Sequence, residues 1–207
     1  MTSVAVFIDW QNAYKSARTA FGLQAEPNER GNFSPHSLGR IIASANGRGA
    51  DGELCRVEVH RGLPSNAKDP VGYAACRRQS QAWMKENPEI IIPRLRPLRY
   101  PDGWPDVREG EKGIDVQLAL GIVEALLLDK CHVAVLISND SDLKPVIETV
   151  TRLRGAACIE TAAWDSPHGG SPRLRVSGAG VFHHKLDEEI FGRVEQTVNY
   201  AYKGPTS

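Results

Sequence analysis

Two aspartates, Asp140 and Asp142, follow directly after an apolar run in the segment "VAVLISNDSDLKP". A carboxylate beside a buried strand is costly unless its charge is paired or hydrogen-bonded. Asp9 ends another apolar run, "VAVFI", and Asp115 lies near the start of the apolar stretch "IDVQLALGIVEALLL". Four carboxylates at the ends of separate apolar segments could together bind a divalent cation, provided that the fold brings them together.

The ligand types indicate which cation such a site would hold. Oxygen ligands without histidine or cysteine nearby favour Mg²⁺ or Mn²⁺ over zinc. The six histidines show neither HxxH nor HExxH spacing, and the four cysteines form no CxxC pair. Two carboxylates about 4 Å apart repel by about 4 kcal/mol at an effective dielectric constant of about 20. Several carboxylates at one place would therefore hold protons unless a cation neutralised them, and a metal-assisted hydrolysis is the chemistry that we expect.

Length and composition describe an ordinary globular chain. Its 207 residues suffice for one large α/β domain, and 41% of them are hydrophobic and 24% charged. The formal net charge is zero, so any polyanion would have to bind at a local basic patch. No apolar run approaches about 18 residues, the N-terminus enters a strand at once, and the cysteines resemble buried reduced thiols. We therefore expect a cytoplasmic protein with neither membrane segment nor leader.

Short apolar strands alternate with helical segments along the chain, which indicates an open parallel sheet with helices on both faces. The predicted strands are "VAVFI", "ELCRVEVHRG", "EIIIPRL", "VAVLIS" and "AACIETAAW". After Asp165 the composition becomes rich in Gly, Ser and Pro, and "VFHHKL" could add a short strand. We expect one domain over residues 1–186, with a C-terminal helix and a frayed tail over residues 187–207.

This architecture places the acids at one rim. All strands of a parallel sheet end at the same edge, where ligands bind in open α/β sheets. Asp9, Asp140 and Asp142 each follow a strand, and the helix that contains Asp115 runs antiparallel to the strands, so it begins at that edge. Asp165 also follows a strand, but we interpret it as a loop acid.

Each acid also has a purely structural interpretation. Asp115 could be a favourable acid in the first turn of a helix, although Leu118 and Ile122 place it on the apolar side of that helix. Asp142 could cap the helix that follows it, and Asp9 could belong to an Asx turn. These alternatives stay open for each residue taken singly.

A basic tract offers counter-charge for a polyanion. The segment "PRLRPLRY" contains Arg94, Arg96 and Arg99, with Tyr100 available for stacking. Interleaved arginine and aromatic residues suit single-stranded nucleic acid, while a solvated strand end is the alternative. Further candidates are the loop "SPRLRVSG" and the residues Arg77, Arg78 and Trp10, of which Trp10 could instead pack in the core.

Three segments resemble the motifs of NYN domains, the PIN-like, LabA-related nucleases. These segments are "VFIDWQNAY", "EKGIDVQLAL" and "VLISNDSDLKPVI", which give D-x-x-N, K-G-x-D and S-x-D-S-D in the order of that family. The resemblance implies a PIN-like fold with strand order 3-2-1-4-5, and metal-dependent cleavage of RNA. Two departures are Gly121, where many relatives carry an aspartate, and "SNDSDL" where many have S-G-D-S-D-F.

With this resemblance, the site residues divide into three groups. The catalytic residues are Asp9, Asn12, Asp115, Asp140 and Asp142. The four aspartates among them would hold Mg²⁺ or Mn²⁺, while Asn12 would bind a carboxylate or the phosphate. The RNA-binding residues are Lys112, Arg94, Arg96, Arg99 and Ser138, and Ser138 could also orient a carboxylate.

The predicted function is that of a metal-dependent endoribonuclease. Its partner would be single-stranded or structured RNA, and homo-oligomerisation stays open. The alternative is a non-catalytic RNA-binding or regulatory module, which the glycine at position 121 favours. A phosphatase of the haloacid dehalogenase type would require D-x-D after the first strand, and "DWQN" does not provide it.

Overall fold

The computed structural model describes residues 1–45, 52–166, 174, 176 and 180–202 of the chain. Its strands are β1 (Thr2–Asp9), β2 (Gly52–Leu63), β3 (Ile91–Pro97), β4 (Val133–Ile137), β5 (Ile159–Trp164) and β6 (Phe182–Leu186). They form one sheet in the order β3-β2-β1-β4-β5-β6, and every neighbouring pair is parallel. The open parallel sheet and the order 3-2-1-4-5 are confirmed, and β6 extends the sheet at one edge.

Six α-helices accompany the strands in the described residues. They are α1 (Trp10–Ala20), α2 (Pro35–Ser44), α3 (Pro70–Glu86), α4 (Ile114–Leu127), α5 (Lys144–Arg154) and α6 (Glu188–Val194). Two short 3-10 turns, Ser141–Leu143 and Ala156–Cys158, lie before α5 and β5. The last helix is shorter than the segment "DEEIFGRVEQTVNYAY" suggests, because the backbone turns extended at Glu195.

The central strand shows why the helices cover both faces. Val4, Val6 and Ile8 of β1 pack in a cluster with residues of α1, α2, α3 and α6. Ala5 and Phe7 point to the other face and pack with residues of α4 and α5. A strand buried on both sides must be apolar at every position, which is the reason that "VAVFI" shows no alternation.

The sheet order places the ends of β1 and β4 side by side. From β1 the chain proceeds to β2 and β3 in one direction, whereas β4, β5 and β6 extend in the other. At such a switch point the connections leave a crevice at the carboxyl ends of the strands. Asp9 is the last residue of β1, and Ser138 follows β4, so both residues border this crevice.

The connection from β3 to α4 is fixed to the ends of β2 and β3. The backbone N–H of Gly62 donates to Oε1 of Glu111 (2.9 Å), and Nε of Arg96 donates to the carbonyl of Lys112 (2.9 Å). Gly113 then takes a left-handed conformation, with φ of 76°, immediately before α4. These contacts hold the start of α4 at the rim of the sheet.

The C-terminal segment packs on the same core as β1. Phe191 of α6 is buried, stacks on Phe21 with ring centroids 4.6 Å apart, and lies 5.4 Å from the ring of Trp164. The backbone N–H of Ser34 donates to the carbonyl of Val194 (2.8 Å). The predicted frayed end, residues 203–207, lies outside the described residues. None of the described helices combines the length and the apolar character that crossing a membrane requires.

We expect Phe191→Ala to reveal whether α6 belongs to the cooperative core. Removing a buried phenylalanine costs about 3–5 kcal/mol, so the free energy of unfolding in urea should fall by that amount. Leu153→Ala, at a position that is 55% exposed, is the matched control and should change it little. Equal small effects of both variants would mean that Phe191 of α6 does not belong to the cooperative core.

Candidate metal centre and nucleic-acid interface

Three aspartates meet at the rim of the sheet. Asp9, Asp115 and Asp140 each present a carboxylate oxygen, and these oxygens lie within 4.8 Å of one another. Asp9 ends β1 and is buried, Asp115 lies in the first turn of α4, and Asp140 follows β4. The structure thus brings together three of the four acids that the sequence assigned to a metal site.

Asp9 is oriented by neighbours on both sides. Its Oδ2 accepts a hydrogen bond from the hydroxyl of Ser138 (3.0 Å), and its Oδ1 accepts one from the backbone N–H of Asn12 (3.3 Å). Asn12 Oδ1 in turn accepts from the backbone N–H of Asn139 (3.1 Å). Ser138 is buried, so its position suits the orientation of a carboxylate and not contact with RNA.

Asp140 and Asp142 differ in position. Asp140 Oδ1 accepts a hydrogen bond from the backbone N–H of Asp142 (3.0 Å) and so caps the 3-10 turn. Asp142 is exposed and lies outside the group of three. Within the described residues no side chain caps α5, whose first residue follows Leu143. Asp142 therefore does not cap α5, whereas Asp140 caps the turn before it, and the side chain of Asp142 faces solvent beside Asp115.

Burial and mutual repulsion keep this group of acids partly protonated. Burial raises the pKa of Asp9 to about 7, against hydrogen bonds from Ser138 and Asn12 that lower it. The pKa of Asp115 is also raised, first by burial and then by the charge of Asp140. In the metal-free protein, a proton bound by the acids thus neutralises part of the negative charge that a cation would otherwise neutralise. An all-oxygen donor set with unbalanced negative charge fits Mg²⁺ or Mn²⁺.

Four of the five predicted RNA-binding residues, all but Ser138, share one open cleft of about 780 Å³ between β3 and α4. Arg94, Arg96, Arg99 and Lys112 all line it, next to the start of α4. In the described part of the chain no carboxylate forms an ion pair with Arg96, Arg99 or Lys112. These cations are therefore available to an anionic ligand.

Arg94 is engaged within the protein. Its Nε donates to Oε2 of the buried Glu58 (2.9 Å), and its Nη2 donates to Oε1 (3.3 Å). Arg56 lies 2.6 Å from the same carboxylate, and His60 Nε2 lies 3.2 Å from it. Burial alone would raise the pKa of Glu58, but the hydrogen bonds from His60, Arg94 and Arg56 hold it well below the usual range.

This network around Glu58 was not predicted from the sequence. Its signal is the alternation in "CRVEVH", which places Arg56, Glu58 and His60 on one face of β2. His60 is buried and pairs in register with Asp9, and within the described residues its Nδ1 has no hydrogen-bond partner. Two arginines neutralise Glu58. Its carboxylate therefore holds the side chain of Arg94 in place in the cleft and is not available as a ligand for a cation.

Gly121 and Glu111 also bear on the site. A Cβ at position 121 would lie 3.4 Å from Oε2 of Glu58 and 3.7 Å from Cε1 of His60, so an acid there would face the Glu58 carboxylate.

Glu111 was not singled out from the sequence, yet its charge raises the pKa of Asp9. Its proximity depends on the β3–α4 connection, which a sequence pattern does not reveal.

Several other candidates have structural partners. Trp10 is buried against Phe33 and Trp83, with ring centroids 4.7 and 4.4 Å away, as the core interpretation requires. Arg78 donates hydrogen bonds to the carbonyl of Tyr200. These contacts leave neither side chain in the basic cleft.

Further candidates lie at the edge of the site or outside it. Tyr100 contacts Trp104 edge to face at 4.9 Å, and the ammonium of Lys68 lies 5.3 Å from the centre of its ring. Asp165 lies 3.5 Å from Nζ of Lys185, in line with a loop acid. Arg77 is exposed on α3. The loop "SPRLRVSG" falls almost wholly outside the described residues.

An open parallel sheet with acids at its switch point defines an α/β protein of the PIN-like class. The sequence profile of the NYN domain family matches residues 3–168, which is most of the chain, and the protein belongs to this family. The match contains the three motifs and all four aspartates, whereas β6 and α6 lie beyond it.

One solved structure supports the fold over nearly the whole chain. It is the crystal structure of a protein of unknown function from Vibrio parahaemolyticus RIMD 2210633. The similarity has a TM-score of 0.56 at 18% sequence identity and covers 91% of this chain and 94% of the other. At this identity it bears on the fold alone. A comparison with curated proteins found no match.

The pKa of Asp9 predicts how stability depends on pH without metal. Because this pKa rises from 3.8 to about 7 on folding, the folded state binds the proton more tightly. The stabilisation is complete below about pH 4 and is lost as the pH rises through 7, by up to about 4 kcal/mol. Urea unfolding in EDTA from about pH 4 to about pH 8 measures this loss of stability.

Asp9→Asn is the control for this measurement. The amide does not titrate, so the variant should show a flatter dependence and exceed the wild type in stability above pH 7. Parallel curves for the two proteins would contradict the assigned pKa.

Proposed function

We propose that the protein is a divalent-metal-dependent endoribonuclease that hydrolyses phosphodiester bonds of RNA at the cluster of aspartates. The observation that carries the proposal is the convergence of Asp9, Asp115 and Asp140, with the pKa of Asp9 raised to about 7. Membership of the NYN domain family supports it. Family membership alone would leave open whether this chain keeps the acids in one place.

The side chains of the site would have different roles. Asp9, Asp115 and Asp140 would hold Mg²⁺ or Mn²⁺, and the exposed Asp142 would act through a water molecule. The cation, when bound, supplies positive charge to the phosphate and lowers the pKa of a coordinated water. Ser138 and Asn12 fix the orientation of Asp9 through the hydrogen bonds described above.

The basic cleft would bind the RNA backbone next to this cluster. Arg96, Arg99 and Lys112 line the cleft without carboxylate partners in the described residues. Arg94 lies in the same cleft, and Glu58 holds its guanidinium in a fixed orientation. Gly113 and Val116 also line the cleft, and both lie within two positions of Asp115, so phosphates bound there would lie near the acids.

A non-catalytic RNA-binding module is the second candidate. The observation that favours it is position 121, where no carboxylate is present and the nearest acid, Glu58, is neutralised by Arg56 and Arg94. Tight RNA binding without cleavage in Mg²⁺ or Mn²⁺ would support this candidate.

We expect Asp140→Asn to abolish cleavage of RNA in Mg²⁺ or Mn²⁺ while the fold is retained. The amide oxygen can still accept the hydrogen bond from the N–H of Asp142, but one ligand charge is lost. The measurement is cleavage of single-stranded and structured RNA with each metal and with EDTA. Asp165→Asn removes an acid that follows β5 and has Lys185 as its neighbour; this control should retain activity. Full activity of Asp140→Asn would contradict the site.

The same two variants report on metal binding without any substrate. Millimolar Mg²⁺ should stabilise the wild type by about 1 kcal/mol, which raises Tm by roughly 2–4 °C. Mn²⁺ should act at least as strongly. Asp140→Asn should lose most of the shift and Asp165→Asn little. Equal shifts in all three proteins would mean that the acids are not a metal site.

Changing Arg96, Arg99 and Lys112 together to Ala should weaken RNA binding and flatten its salt dependence. Each lost phosphate contact on a single strand reduces the slope of log K against log salt by about 0.7, so a fall of roughly 2 is expected. Arg94 is left unchanged, because its removal would expose the buried Glu58 carboxylate. The control is Arg77→Ala with Arg152→Ala, two exposed arginines outside the cleft. An unaltered slope would place the RNA elsewhere.

A further inference from the structure

Helix α4 carries an apolar ridge that no part of the described chain covers. Val116 is 62% exposed and Leu120 is 63% exposed, although both belong to the helix that starts at the acid cluster. Exposure of large apolar side chains has a free-energy cost, and a contiguous apolar surface commonly marks a binding site. Leu128, immediately after α4, is 61% exposed, but it does not line either cleft beside the ridge.

The ridge separates two clefts of opposite character. On one side, Val116 and Leu120 line the basic cleft with Arg96 and Lys112. On the other side, the same two residues line a groove of about 410 Å³ between α4 and α5. The remaining residues of this groove are Asp115, Ala119, Val123, Asp142, Pro145, Val146 and Thr149.

The charges of the groove determine which part of a nucleotide it can accept. Asp115 and Asp142 are the charged side chains that line it in the described residues. Without a cation at the acid cluster both would repel a phosphate, and beyond the cluster the described lining offers a phosphate no lysine or arginine. Its other walls are mostly apolar. The groove therefore suits the neutral base of a nucleotide, and its volume lies within the range of small-molecule pockets.

The location of the groove connects this base to the reaction. Asp115 belongs both to the acid cluster and to the wall of the groove. A nucleotide with its phosphate at the cluster and its base in the groove would leave the next phosphates to the basic cleft across the ridge. Base and backbone would thus lie on opposite sides of Leu120.

We propose that the groove between α4 and α5 binds an unpaired nucleobase adjacent to the scissile phosphate. This inference rests on the proposed function. In a duplex the bases are stacked and paired, so a base can enter the groove only from a single strand, a loop or a bulge.

The test compares Leu120→Ala with Leu128→Ala, which remove the same side chain at positions of nearly equal exposure. The substrates are one single-stranded RNA, its fully paired duplex, and versions with an abasic nucleotide at each position beside the cleaved bond. Leu120→Ala should lower kcat/KM on the intact strand roughly three- to tenfold through KM. Leu128→Ala should match the wild type.

The abasic substrates isolate the base itself. Removing the base at one of these positions should reduce the kcat/KM of the wild type roughly tenfold. The same abasic strand should reduce the kcat/KM of Leu120→Ala clearly less. The duplex should resist cleavage by all three proteins. Equal penalties in both variants, or abasic strands cleaved as well as the intact one, would overturn the base site.

Measurements of RNA affinity distinguish a failure of this inference from a failure of the proposed function. If the wild type cleaves no RNA in either metal, the nuclease proposal fails, and the affinities for intact and abasic strands still decide the base site. The same pattern of penalties in those affinities would support the groove, and its absence would overturn it. A change of oligomeric state in Leu120→Ala during sedimentation, without any change in RNA affinity, would assign the ridge to a second copy of the chain and overturn the proposal.

Discussion

Electrostatic repulsion among Asp9, Asp115 and Asp140 is the interaction around which the rim of this protein is built. A sheet edge with three carboxylate oxygens within 4.8 Å would be unstable if all three were ionised and unpaired. Hydrogen bonds from Ser138 and Asn12 hold Asp9 in place, and burial leaves it protonated up to about pH 7. The free energy that this arrangement costs is what a divalent cation would relieve.

The same residues satisfy local structure and the site at once. Asp9 is the N-cap of α1, and Asp140 is the N-cap of the 3-10 turn after β4. Capping and metal binding are therefore compatible, because a carboxylate has two oxygens and a backbone N–H engages one of them. A structural explanation of an acid at a helix start does not exclude a role in the site.

Helix α4 separates charge of opposite sign. One side of it faces the cleft with Arg96, Arg99 and Lys112, and the other faces the groove that Asp115 and Asp142 line. The buried Glu58 network keeps the arginine side ordered, since its carboxylate accepts hydrogen bonds from Arg94. A substrate with charged and neutral parts would be oriented by this separation before any chemistry takes place.

The parallel sheet could be predicted from the amino-acid sequence because its strands are continuously apolar and alternate with helices. The common edge of Asp9, Asp115 and Asp140 followed from the direction of those strands, whereas the strand order came from the resemblance to NYN domains. Which basic residues are free depends on the folded arrangement of the strands: Arg94 and Arg96 are two residues apart on β3, yet Arg94 is bound to Glu58 of β2. The tertiary structure also decided the protonation of Asp9, which depends on burial and on Glu111 from a distant connection. Strand periodicity is a local property, whereas desolvation and pairing depend on neighbours that are remote in the chain.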